Sequence, residues 1–343
     1  MMTRFSPYAL LLPFLLLTSC GTDSPPKDSP EKRSVEASSK PARPAGKSAE
    51  KTVPHEKADA GPAKAAVDPA PVLELLSKGV IGGARPISPR SMSLKIFFEG
   101  GDHGVFKPIR KDDRTARCEV AYYRLATAMG VRGVPPSTMC TVSAARLEGH
   151  LRKNFEEAAS RFEELVRIDD KGMVDGAMIS WVDGLEPSGL DGPGGWKKLS
   201  ELLSLDGPSP EEEPLVAGAS DMVVADYVLG NWDRYTGGNL FLSGDGTLVL
   251  LDNNAAFAPW SEGQMARATK VLELCQRFSR RLIGKLRKVD AGFVRTGLDG
   301  DQRGESLLTD GEIARILERR EQLISHVDNL IALHGESRVL ALP

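Results

Sequence analysis

DMVVADYVLGNWDRYTGGNLFLSGDGTLVLLDNNAAF, residues 221–257, sets three polar side chains, Asp233, Asn239 and Asp252, into an otherwise apolar stretch. Val223, Val224, Tyr227 and Val228 fall at helical spacing, with Ser220 as the N-cap. Two strands follow, 239–242 and 247–251, joined at Asp245-Gly246, a dipeptide suited to a tight hairpin turn. Closing that hairpin returns Asn239 and Asp252 to one end, side by side, with Asp233 leading into it. An acid that can orient a hydroxyl, followed by an Asn and an Asp that can hold a hard divalent ion through oxygen, is the equipment of phosphoryl transfer. Asp and Asn are also common turn residues, so the pattern needs a second element to carry weight.

The second element lies upstream. Two extended runs, 93–98 and 105–109, flank EGGDHG, and the second carries Lys107 in VFKP. A lysine set among apolar strand residues calls for a partner, because an unpaired buried ammonium is costly. Glu119 can be that partner. It stands early in a helix expected over 115–129, which Gly130 stops.

Taken together, Lys107, Glu119 and the Asp233-Arg234 … Asn239 … Leu-Leu-Asp252-Asn series resemble the protein-kinase-like superfamily. The likeness is strongest to its atypical secretory branch of the Fam20/four-jointed type, with further likeness to HipA-type and phosphatidylinositol kinases. It covers roughly residues 79–335. The resemblance implies an α+β, two-lobed protein-kinase-like fold with a small strand-rich N-lobe (71–182, including the hinge) and a larger helical C-lobe (183–343). It implies ATP between the lobes, with Lys107, held by Glu119, on the phosphates. Asn239 and Asp252 would hold Mg²⁺ or Mn²⁺, and Asp233 would act on the acceptor hydroxyl. Strand 173–182 would be the hinge, with backbone near Met178 facing the adenine and Trp181 in the core. Gly79, Gly82 and Gly83 fit either a phosphate-covering loop or a plain turn. Three departures stand out. Asp233 and Asn239 are one position further apart than in the kinase loop, an excess that a glycine of YTGG could absorb. Tyr235 stands where the secretory and lipid kinases carry His, and Asp252-Asn253-Asn254 replaces DFG.

The rest of the chain reads as scaffold. Phe155, Ala158, Phe162 and Leu165 mark an amphipathic helix, and 183–214 is a Gly/Pro-rich stretch holding one helix near 196–203. A long helix is expected over 265–287. Another starts at the capping box Thr309-Asp310-Gly311-Glu312 and closes at Gly335, with a polar loop before it.

At the N-terminus, Arg4 precedes a short apolar run, and Leu17-Thr18-Ser19-Cys20 resembles a bacterial lipobox. That resemblance implies a signal peptide over 1–19, lipid on Cys20 and a membrane-anchored place in the bacterial cell envelope. Residues 20–70, rich in Pro, Ala, Ser, Lys and Glu, bury too little to fold and read as a disordered tether. The net charge of −3 in 343 residues gives no clustered positive surface for nucleic acid. Four cysteines form no CxxC and no Cys/His metal spacing, which favours buried free thiols. The expected activity is ATP-dependent phosphorylation of a hydroxyl on protein or glycan. Two readings of the same fold stay open beside it: a pseudokinase-like binding module, and transfer of AMP.

Overall fold

The computed structural model describes residues 68–88, 92–111, 115–191, 194–298 and 306–343. The expected signal peptide, Cys20 and the tether as far as residue 67 lie outside the described residues, as does 299–305 of the polar loop.

Helix α1 (Ala70–Lys78) leads into a five-stranded antiparallel sheet. Its strands are β1 (Ile81–Pro86), β2 (Leu94–Phe98), β3 (His103–Pro108), β4 (Ser137–Ser143) and β5 (Met173–Ser180), in spatial order β1-β2-β3-β5-β4. Helix α2 (Thr115–Met129) separates β3 from β4, and α3 (Ala144–Asn154) with α4 (Glu156–Leu165) separates β4 from β5. Strand alternation sorts the side chains. Leu94, Ile96, Phe106 and Met178 join Leu147, Leu151 and Phe162 in a small core on one face. Val105, Lys107 and Ile179 take the other face, where they line a cleft.

The second part is mostly helical: α5 (Gly195–Leu203), α6 (Leu215–Leu229), α7 (Glu262–Leu274), α8 (Arg280–Leu286), α9 (Ala291–Leu298), α10 (Asp310–His334) and α11 (Glu336–Val339). A small sheet of β6 (Glu186–Pro187), β7 (Leu240–Leu242) and β8 (Leu248–Leu250) accompanies them. Helix α2 buries Val120, Ala121, Leu125 and Met129 in this larger core and not in the small core of the five-stranded sheet. Gly130, at φ 88°, ends it where the sequence places the stop. Among the described residues no helix is long and apolar enough to cross a membrane, and Cys118, Cys140 and Cys275 are buried free thiols.

Several expectations need correction. Helix α6 starts at Leu215, so Ser220 is no cap; it lies inside the helix, fully buried, and its hydroxyl donates to the Arg277 carbonyl at 2.8 Å. The helix expected over 265–287 is two. Between α7 and α8, Gln276 N–H donates to Leu203 at 2.9 Å and Phe278 N–H to Val339 at 2.8 Å. Tertiary partners thus take the backbone groups that a continuous helix would pair internally. Phe155 is a helix junction, 37% exposed, and not part of an apolar face. The β7–β8 connection is longer than a two-residue turn: Ser243 N–H donates to the Thr247 carbonyl, and Asp245 Oδ1 accepts from Thr247 N–H at 3.1 Å. The capping box at Thr309 and Glu312 forms as expected.

Candidate active site

Lys107 stands near the C-terminal end of β3, on the face opposite the small core. Its Nζ donates to Glu119 Oε1 at 2.5 Å and to Asp252 Oδ1 at 3.0 Å. The three groups differ in exposure: Glu119 is 3% exposed, Lys107 15% and Asp252 44%. Burial disfavours the ammonium, but the charges of Glu119 and Asp252 more than offset it and raise the Lys107 pKa. Lys107 therefore stays cationic and can attract an anionic ligand.

Asp252 follows β8 with φ 52°, in the left-handed region that Asp tolerates better than most residues. The turn delivers the next residue to Glu119: Asn253 N–H donates to both Glu119 oxygens at 3.1 Å. Asn253 Oδ1 accepts from Arg234 Nη2, and its Nδ2 donates to the Leu250 carbonyl at 3.3 Å. The residue that replaces the DFG phenylalanine is thus a buried polar link between α2 and the segment after α6.

Arg234 is the other end of that link and is fully buried. Nε donates to Asp226 Oδ2 at 2.9 Å, Nη2 to Asp226 Oδ1 at 3.1 Å, and Nη1 to the Leu251 and Asn239 carbonyls at 2.5 and 3.3 Å. Tyr122, on α2, donates to Asp226 Oδ1 at 2.6 Å. Arg234 therefore braces the loop and does not face the cleft. Burial opposes its charge and Asp226 outweighs burial, which raises its pKa. Burial, then the Asp226 charge, raises the Tyr122 pKa well above its usual value.

Asn239 is buried at the cleft wall. Its Nδ2 donates to the Asp233 carbonyl at 3.1 Å, which leaves the amide oxygen for the cleft. Gly237 and Gly238, at φ 107° and 80°, absorb the extra residue of this loop. Lys107, Glu119, Asn239, Asp252 and Asn253 all line one cleft of about 370 Å³, whose lining also includes the apolar set Ile87, Val105, Ile179, Val182, Leu185 and Leu250.

Four sequence expectations fare differently. Asp233 is half-buried beside the cleft and is not among the residues that line it; its tie to the site is the backbone contact with Asn239. Gly82 and Gly83 lie within β1, at a register shift against β2, away from the cleft. Ile87, Ser88 and Ser93, from the connection after β1, stand at the cleft in their place. The segment expected to offer its backbone reaches the cleft at Ile179, Ser180, Trp181 and Val182, while the Met178 side chain turns into the small core by strand alternation. Trp181, expected in the core, is half-buried at the cleft, where its Nε1–H donates to Asp183 at 2.7 Å and Lys95 Nζ sits 3.6 Å above its ring. The reading of the sequence missed Asp226 and Tyr122. A lone Asp in the apolar run VVADYV calls for a buried partner by the same argument that picked out Lys107.

Among the described residues no three His, Cys, Asp or Glu side chains cluster to hold a metal by themselves. The donors at the cleft are an Asn amide oxygen and an Asp carboxylate. That set suits Mg²⁺ or Mn²⁺ shared with phosphate oxygens, since such ions use few protein ligands when a nucleotide completes the shell.

No family model matches the chain. A protein of Mus musculus described as pseudokinase FAM20A is 22% identical over 312 residues, which take in 74% of this chain and 57% of that protein, so the chain spans little more than half its length. Among solved structures, hydra Fam20 with sugar aligns with a TM-score of 0.62 at 16% identity, over 81% of this chain and 93% of that one. The Golgi casein kinase aligns with a TM-score of 0.58 at 14% identity, over 79% and 78%; it has also been solved with Mn and ADP bound. At such identities the likeness is one of fold.

Proposed function

From the premise that this chain has a protein-kinase-like fold of the Fam20 type, we propose that it is an ATP-dependent kinase that phosphorylates a hydroxyl acceptor. One observation carries the reading: Lys107 bonds Glu119 on one side and Asp252 on the other, at 2.5 and 3.0 Å, inside a nucleotide-sized cleft. Lys107 binds the α/β-phosphates while Glu119 holds its ammonium in place. Asn239 and Asp252 would hold Mg²⁺ or Mn²⁺, which neutralises phosphate charge when bound. The apolar wall of Ile87, Val105, Ile179 and Val182 takes the base and excludes water. Asp233 accepts the acceptor hydroxyl's proton, its carbonyl already fixed by Asn239. Positioning and charge neutralisation supply most of the rate in such a reaction. The Golgi casein kinase solved with Mn and ADP supports this choice of ligands.

The test is a labelled-ATP assay of the full chain with Mn²⁺ or Mg²⁺. Transfer of the γ-label to an added protein or glycan hydroxyl supports the reading. Transfer of an α-label makes the enzyme an AMP transferase, and no transfer of either, with nucleotide bound, makes it a pseudokinase. The pseudokinase reading has its own support: Asp233 stands outside the cleft lining, and the mouse relative bears that description.

The proposed setting is the bacterial envelope, with lipid on Cys20, on the strength of Leu17-Thr18-Ser19-Cys20. Cys20→Ser abolishes metabolic labelling by a fatty-acid probe if this is right; undiminished labelling refutes it.

A further inference from the structure

The segment between β5 and α5 contributes a carboxylate that the kinase reading does not use. Asp191 Oδ2 accepts from Gly238 N–H at 2.7 Å and from Asn239 N–H at 3.3 Å. The cause is local backbone geometry. Gly237 and Gly238 take successive positive φ values, 107° and 80°, and nothing lies within 4 Å of where a Cβ would stand on either. With the chain so turned, the consecutive amides of Gly238 and Asn239 converge on one carboxylate, much as the concavities of successive N–H groups hold anions. Here the anion comes from the chain itself.

Both partners are anchored. Leu190, next to Asp191, is fully buried in the larger core, and its N–H donates to Ser188 Oγ at 3.1 Å. Ser188 N–H in turn donates to the Leu240 carbonyl, beside Asn239, at 3.3 Å. Asn239 is thereby held by four hydrogen bonds: its N–H by Asp191, its carbonyl by Arg234 and by the Leu251 N–H, and its Nδ2 by the Asp233 carbonyl. Without Asp191, two adjacent glycines precede the one amide oxygen meant for the cation, with no side chain to fix them.

We propose that Asp191 is a positioning residue: its carboxylate holds the 238 and 239 amides and so aims Asn239 at the nucleotide-bound cation. The inference rests on the kinase reading, and its test separates the two. Full-length wild type, Asp191→Ala and Asp191→Asn are titrated with Mn²⁺ in the presence of ATP, with binding read by thermal shift. Removing a residue that orients a metal ligand weakens metal affinity by about 10–100-fold. Asp191→Ala is expected to fall in that range, and Asp191→Asn, which keeps an acceptor oxygen, to lose less. Added formate, a free carboxylate for the two freed amides, restores affinity to Asp191→Ala and leaves wild type unchanged. Amide hydrogen exchange at Gly238 and Asn239 rises in Asp191→Ala and stays ordinary elsewhere in the chain. Wild-type protein that binds ATP with Mn²⁺ while Asp191→Ala binds it equally well overturns this inference alone. Wild-type protein that binds no nucleotide with Mn²⁺ overturns the kinase reading and this inference together.

Discussion

Two charged clusters meet at Asn253 and are built to opposite rules. Lys107, Glu119 and Asp252 face the cleft, and their outermost carboxylate is 44% exposed. Arg234 and Asp226, on the other side of Asn253, are 0% and 3% exposed. The open cluster can change partners, because a half-hydrated carboxylate gives up one contact for another at small cost. The sealed cluster cannot. Its charges are out of water, and they are satisfied only by a set of hydrogen bonds that reaches Tyr122, Asn253, Leu251 and Asn239. The contrast separates groups placed to meet a ligand from groups placed to hold those groups still.

The largest effect should come from the sealed cluster. Arg234→Met leaves Asp226 buried without its cation, so the urea midpoint should correspond to a loss of about 3–5 kcal/mol. Wild-type stability in that variant would erase the contrast. Asp252→Asn, which keeps a residue tolerant of the left-handed φ of 52°, should do the reverse. Its folding free energy stays within about 0.5 kcal/mol of wild type, while γ-phosphoryl transfer falls at least about 100-fold. Chemical denaturation and the labelled-ATP assay, run on the same sample, check both numbers.

Asp221 sharpens the comparison as a carboxylate that is buried but poorly paired. Burial raises its pKa from 3.8 to about 6, with Arg281 and Arg132 pulling it back, and Arg281 is 3.8 Å away. The folded state keeps the proton where the unfolded state has lost it. This group's contribution to stability is therefore full below pH 3.8 and is lost as the pH rises to about 6. Asp221→Asn should be more stable than wild type at pH 7.5 by on the order of 2 kcal/mol, and the gap should close near pH 4. A gap independent of pH would reject this account. Tyr122→Phe should have the smallest effect, roughly 1.5 kcal/mol for one of several hydrogen bonds to the charged Asp226, read from the same denaturation curves.

How much of this the sequence discloses depends on whether the deciding force is local. Helix α2 ends where Gly130 allows a left-handed turn, and α10 begins at its capping box; both signals sit within a few residues of the boundary they set. The Lys107–Glu119 pair was legible as a charge among apolar strand residues with a carboxylate early in the next helix, whereas Asp252 joined them only through the resemblance to the kinase-like superfamily. The break after α7 was not legible. It depends on Leu203 and Val339 accepting hydrogen bonds from residues far away in sequence. Met178 and Ile179 differ only in strand parity, which a run as uniformly apolar as AMISWV does not reveal. Asp191 was passed over because its partners are backbone amides far along the chain, which leave no spacing motif; Asp226 carried a signal, a lone acid in an apolar helix, that was not followed to Arg234.

Helix α2 carries Glu119 into the cleft, yet its apolar side belongs to the larger core, its Tyr122 is tied to Asp226, and Glu119 itself is gripped by the Asn253 amide. A helix moored at that many points is a fixed post, not a lever. Swinging it outward would uncover apolar surface and strand a buried phenol and a buried amide at once. On the proposed kinase reading, such a post gives the protein no swung-out off position, and its output would be governed by what reaches it: nucleotide, cation and acceptor.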